Sequence, residues 1–206
     1  KVASLKNQEF RHKMKITQLK NIIIRKLTDE LSEKLTYHGV KHTLMVFKVC
    51  NQFIKRMKIA PHDAQLIRTA ALLHDTGFIR TYDNHEEESI IFAREILPDW
   101  NYSESDIEIV AGMIRATKIP QNPKNMLEGI LADADLDYLG TTSFYEIADT
   151  LRTELFHYNK ISSEIEWITL QIDFLKRHNY YTAFSKKYRE PIKQKYLKEI
   201  KDKWGR

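Results

Sequence analysis

Cysteine is nearly missing from these 206 residues: Cys50 stands alone, so no disulfide can form within the chain and a multi-thiolate zinc site is excluded. That usage fits a reducing, cytoplasmic setting. Glycine and proline are also scarce, at six and five residues, too few for a fibrous or low-complexity chain. Uninterrupted apolar runs stop at four residues, as in Leu44-Met45-Val46-Phe47, against the roughly 20 needed to cross a bilayer. Neither a membrane span nor a secretory apolar segment is expected. Convincing strand-like alternation, internal repeats and linkers are lacking too, which leaves an undivided helical chain. The chain begins at Lys1 rather than at a methionine, leaving room for a preceding segment.

Hydrophobic residues make up 42% and charged residues 30%, ordinary globular usage. A chain of this length folding as one domain buries about 70% of its unfolded surface, enough to hold a polar site inside a core. The net charge of +5 is unevenly spread: residues 1–26 carry +7, residues 186–206 carry +6, and the middle carries −8. Solvated lysine-rich terminal helices, 1–34 and 182–203, account for the basic ends. The interleaved aromatics or groove-reading motif that would point to nucleic acid are not there.

Helical periodicity runs along the chain. Ile16, Leu19, Ile23 and Leu27, with Lys26 beside them, form one stripe of a helix over about 6–34. Another helix reaches about Met57. Ala60-Pro61-His62-Asp63 starts a third that ends near His74-Asp75-Thr76-Gly77, with Gly77 as terminator. A fourth stops at Pro98. Ser103 and Asp106 resemble a capping box for a helix to about Thr117. Asn122 and Pro123 are expected to cap and open the next. Three more should cover 143–158, 162–178 and 182–203.

The chemistry lies in three places. His42, Val46, Val49 and Phe53 follow at spacings of four, three and four, so His42 ends an inward stripe. His74 likewise continues Ile67, Ala70 and Ala71. A buried imidazole must hydrogen-bond or ligate a metal, and Asp75 can join His74 on one ion only near a helix end. Downstream, Asp133, Asp135 and Asp137 alternate among Ile130, Leu131, Ala134 and Tyr138. Three carboxylates amid apolar residues are costly without a positive neighbour. On a helical wheel Asp137 lies nearest the apolar face, with Asp133 and Asp135 flanking it, so periodicity does not choose among them.

This ordered set, His42, then His74-Asp75, then a distant aspartate, resembles the HD superfamily of metal-dependent phosphohydrolases over about 37–140. The resemblance implies an all-α, single-domain helical bundle and a metal held by His42, His74, Asp75 and Asp133, the last chosen because Ala132-Asp133-Ala134 looks most like the family's final motif. Asp135 is the rival, and Asp137 a candidate to orient a ligand. Such a nitrogen and oxygen set suits Mn, Fe, Zn, Co or Ni. His85 matches one place where some members hold a second ion, but the next histidine is missing, so one ion is expected. Asp75, His85 and Glu86 are the candidates for proton transfer, and His38, Arg80, Arg115 and Lys118 for substrate contact.

The implied substrate is a small phosphorylated molecule of nucleotide type. The acidic signature of alarmone hydrolases and the Gly-Tyr-Pro of the cyclic-di-guanylate branch are both absent. A metal-stabilised signalling or binding domain and a di-iron oxygenase are the competing readings.

Overall fold

The computed structural model describes the backbone of residues 2–204 and side chains from Ile16 to Trp204. Among the described residues there are ten α-helices and no strand: α1 (Val2–Glu30), α2 (Val40–Met57), α3 (Pro61–Leu73), α4 (His85–Ile96), α5 (Glu104–Thr117), α6 (Met126–Asp135), α7 (Phe144–His157), α8 (Glu164–Arg177), α9 (Ala183–Tyr188) and α10 (Glu190–Trp204). No helix of the described residues is long and apolar enough to cross a membrane.

The inward stripes sit where their spacing puts them. Ile16, Leu19, Ile23 and Leu27 of α1, and His42, Val46, Val49 and Phe53 of α2, are all buried. With α3, α5 and α6 they enclose the larger apolar core. A second core gathers Tyr37, Leu136, Tyr138, Leu139 and the inner faces of α7, α8 and α10. Fully burying a single Leu or Phe is worth about 1.5–3 kcal/mol, so each stripe holds its helix in place far more strongly than helix propensity does.

Helix α1 ends at Glu30, four residues before the expected boundary. The chain leaves it to dock on α7: the Thr36 hydroxyl donates to Thr150 O at 2.7 Å, and the Tyr37 and His38 amides donate to Glu154 Oε2 at 2.8 and 2.9 Å. Ser103 and Asp106 form a full capping box. Asn122 does not cap α6; that role falls to Asn125, whose side chain accepts from the Glu128 amide at 3.0 Å while Glu128 reaches back to the Lys124 amide at 2.5 Å. The expected helix 182–203 is two helices. Pro191 has no amide hydrogen and its ring crowds the carbonyl four residues back. The chain bends at Arg189, whose backbone lies against Gly140 so closely that a Cβ there would meet it at 2.5 Å.

Gly77 also differs from expectation. Helix α3 stops at Leu73, and Gly77 belongs to the following turn, Thr76–Ile79. A Cβ on Gly77 would fall 1.9 Å from His85 O and 2.8 Å from Ser89 N. Its absence is what lets α4 seat against the His74-Asp75 corner, with the Gly77 amide donating to Ser89 Oγ at 2.8 Å. Asn84, at φ 58°, turns the chain into α4.

Candidate metal centre

Three helix ends meet between the two cores. His42 lies in the first turn of α2, His74 and Asp75 follow the last residue of α3, and Asp135 is the last residue of α6. The carbonyl ends of α3 and α6 carry partial negative charge toward this point. His42 Nε2 is 3.0 Å from Asp135 Oδ1, 3.3 Å from Asp75 Oδ2 and 3.3 Å from His74 Nε2. His74 Nε2 is 3.2 Å from Asp75 Oδ2 and 3.7 Å from Asp135 Oδ1.

The His42, His74 and Asp135 donors lie close enough together to share a cation, with the 3.7 Å between His74 and Asp135 slightly wide, while Asp75 Oδ2 sits beside both imidazoles outside that three-residue set. Donors about 2.1 Å from one ion stand roughly 3.0 to 3.4 Å apart. The hydrogen bonding fits as well. His74 Nδ1 lies 3.0 Å from Ala71 O, and donation there leaves the Nε2 lone pair facing His42 and the two carboxylates. His42 Nδ1 and Asp75 Oδ2 are buried with no hydrogen-bond partner, although Asp75 Oδ2 lies within 3.3 Å of both imidazoles. Proximity without an aligned donor is what a metal-coordinating oxygen shows in place of a hydrogen-bonded one.

The electrostatics agree. Burial opposes charge on His74, yet Asp75 and Asp135 outweigh it and raise its pKa to about 10. Burial likewise works against ionising Asp75 and Asp135, and the imidazoles overcome it to hold both carboxyls below their ordinary range. Two ionised carboxylates buried together demand positive charge between them.

Asp133 is not part of this group. It is 0% exposed, and it accepts from the Tyr181 amide at 2.8 Å, the Thr182 amide at 2.9 Å and the Thr182 hydroxyl at 2.7 Å. It therefore anchors the start of α9, and the expectation that it completes the cluster is replaced by Asp135, which groups with His42 and His74 as a possible metal set. Asp137 is engaged by Arg189, which donates to both its oxygens at 2.6 and 3.1 Å.

The other expected residues divide. His85 Nε2 is 3.7 Å from Asp75 Oδ1 and 3.6 Å from Glu86 Oε1; burial lowers its pKa despite Asp75. His38 Nδ1 lies 2.5 Å from Glu154 Oε1. Burial alone would lower the His38 pKa, but Glu154 and Asp75 raise it. The Phe78 ring stacks on both His38 and His85, with centroids 4.3 and 3.8 Å apart.

Arg80, Arg115 and Lys118 do not gather here. Arg80 donates to Glu88 at 3.4 Å and Glu95 at 2.8 Å, Arg115 to Glu87 at 3.2 Å, and Lys118 to Asn84 Oδ1 at 3.0 Å. Glu154, buried in α7, is the functional candidate the sequence reading missed. Its only signal was a glutamate on an otherwise apolar helix face.

His38, Asp75, His85, Glu86 and Asp135 all line one cavity of about 330 Å³. Two others, of about 400 and 440 Å³, contain none of these residues.

The chain is similar to known proteins in both sequence and fold. Residues 39–137, from the residue before α2 through Asp137, match the profile of the HD domain family. Over these residues, just under half of the chain, the sequence is similar to that family, and the all-α fold is consistent with its type. A protein of Lactobacillus plantarum known from its crystal structure superposes with a TM-score of 0.64 over 93% of this chain and 97% of its own, at 16% identity. The crystal structure of a predicted HD superfamily hydrolase from an uncultured Thermotogales bacterium gives 0.52 over 76% and 89%, at 22% identity. In sequence, an uncharacterized protein of Clostridium beijerinckii is 34% identical over 84 residues, 39% of this chain, and the match spans about half of that relative's length, 53%.

Proposed function

We propose that this chain is a metal-dependent hydrolase of phosphate esters, acting on small molecules rather than nucleic acid. The observation that carries the reading is the convergence of His42, His74, Asp75 and Asp135 beside a cavity that Asp75 and Asp135 also line. One divalent transition ion, Mn, Fe, Zn, Co or Ni, would be held by His42 Nε2, His74 Nε2, Asp75 Oδ2 and Asp135 Oδ1. When bound, such an ion supplies Lewis acidity, easing deprotonation of water and stabilising charge on a phosphoryl oxygen.

The remaining steps belong to the protein. With an ion bound, donation from His74 Nδ1 to Ala71 O would leave Nε2 as the acceptor facing the cluster; without one, the raised pKa keeps that nitrogen protonated. Asp75 Oδ1 and the neighbouring His85 Nε2 are the bases placed to take a proton from an attacking water, with Glu86 beside them. His38 has one ring nitrogen on Glu154 and its other left for the ester. Its raised pKa suits it to donate a proton to the leaving oxygen. The fit for a nucleotide is poorer, because among the described residues no lysine or arginine lines the cavity.

The test begins with chelator-stripped protein. Titrating back Mn²⁺, Zn²⁺ or Co²⁺ should raise the melting temperature; about 2.7 kcal/mol at a hundredfold excess over Kd corresponds to roughly 5–10 °C for a chain of this size. His74→Ala and Asp135→Ala should lose both this rise and phosphatase or phosphodiesterase activity while keeping their helical circular dichroism. Full activity in both variants would overturn the assignment.

A further inference from the structure

The cavity beside the metal centre is built from two unlike kinds of side chain. The residues before Leu136 contribute most of its polar groups: His38, Asp75, His85, Glu86, Thr117 and Asp135. The residues after it are mostly apolar, with Leu139, Leu151, Leu155, Trp167, Leu170 and Phe174 among them and Gln171 and the Tyr138 hydroxyl as polar exceptions. Two of the apolar lining residues are left open to solvent, Ile119 at 51% and Leu170 at 46% exposed. Covering these two side chains with hydrocarbon would take apolar surface out of water, which is favourable.

We infer that the phosphate ester this site takes carries an apolar alkyl or aryl group, which lies between α7 and α8 while its phosphate faces His38, Asp75 and Asp135. The inference rests on the phosphoester-hydrolase reading and narrows its substrate class. Three observations carry it. The apolar lining is continuous with the side chains that would act on the ester, so a substrate at the centre has its ester group against Leu139 and α7. The cavity, about 330 Å³, lies at the small end of the range for small-molecule sites. The hydroxyls and base edges of a nucleoside would be stripped of water against leucine and phenylalanine with few partners, at a cost for each unpaired group. Hydrocarbon meets no such cost. The cations that would grip a polyphosphate are spent elsewhere, Arg80 on Glu88 and Glu95 and Arg115 on Glu87.

The experiment uses the metal-loaded full chain and a series of n-alkyl phosphates from ethyl to decyl, with nucleoside 5′-monophosphates alongside. The matching n-alkylphosphonates, which cannot be hydrolysed, are measured by calorimetry. Both kcat/KM for the esters and affinity for the phosphonates should rise about fourfold per methylene over the first several carbons, then level off as the cavity fills. Nucleoside monophosphates should fall below hexyl phosphate. Leu170→Gln, at a half-exposed position where the fold tolerates polarity, should flatten the dependence on chain length in both measurements.

Turnover independent of chain length, or a preference for nucleotides, overturns the inference and leaves the hydrolase reading standing. Phosphonate binding that climbs with chain length while no ester is hydrolysed with any metal supports the apolar site and overturns the hydrolase. Neither binding nor turnover overturns both.

Discussion

Asp133 and Asp135 stand two residues apart in α6 and do different things. Asp133 ties down α9 through three donors, whereas Asp135 faces two imidazoles. Asp133→Asn removes the charge that those donors serve and should cost about 1–3 kcal/mol, a melting point lower by several degrees, with the metal-induced rise intact. Asp135→Asn should abolish that rise. Differential scanning calorimetry with and without Zn²⁺ checks the pair, and the reverse pattern would make Asp133 the ligand. The helical wheel left these two equivalent because it records angle around α6 alone. What separates them is Tyr181 and Thr182, some 48 residues away in the chain, which arrive on one side only.

Helices bring the reactive groups together by their ends, so the corners between them are the sensitive points. Gly77 sits where α3 gives way to α4, and the 1.9 Å approach that a Cβ would make to His85 O is to backbone, which cannot rotate aside. Gly77→Ala should therefore displace the start of α4, carrying His85 and Glu86 away from Asp75. Stability should fall by about 3 kcal/mol or more, in the range of severe core disruption. A urea midpoint within error of wild type would show that α4 yields freely. Much of this level was legible locally: the Ser103–Asp106 box, the stop before Pro98 and the inward stripes of α2 and α3 all appear as expected. The cap at Asn125 and the break at Arg189 were also written locally, as Asn125 with Glu128 and as Pro191, beside stronger punctuation at Pro123 and a continuous helical pattern.

Across the whole molecule, α10 closes the second core through a buried lysine. Lys193, 0% exposed, donates to His178 O at 2.5 Å, pairs with Glu190 at 3.0 Å and lies 3.3 Å from His178 Nδ1. The rings of Phe174 and Tyr180 flank His178. Burial first, and Lys193 second, lower the His178 pKa from 6.5 to about 3. The unfolded chain therefore takes up this proton below about pH 6.5 while the folded protein refuses it until about pH 3. The stability involved is complete above pH 6.5 and drains away as pH falls through that window, by at most about 1.4 kcal/mol per pH unit from this one group. Urea unfolding of metal-free protein between pH 7 and 4 should show the decline, and His178→Gln should lose this share of it. Identical pH profiles for the two proteins would refute the assignment.

The sequence by itself determined the helices, their inward faces and the two histidines that must end up inside, because hydrophobic period and capping act within a few residues. It also carried the His42, His74-Asp75, distant-aspartate order over residues 39–137. Only the tertiary structure decided that Asp135 joins the histidines, that Glu154 holds His38, that Arg80 and Arg115 are bound by acids, and that α7 and α8 wall the cavity with hydrocarbon. Those outcomes depend on which groups approach from distant parts of the chain. A carboxylate or guanidinium takes its role from the charge and hydrogen-bond partners brought to it, and these are fixed only when the two cores have packed.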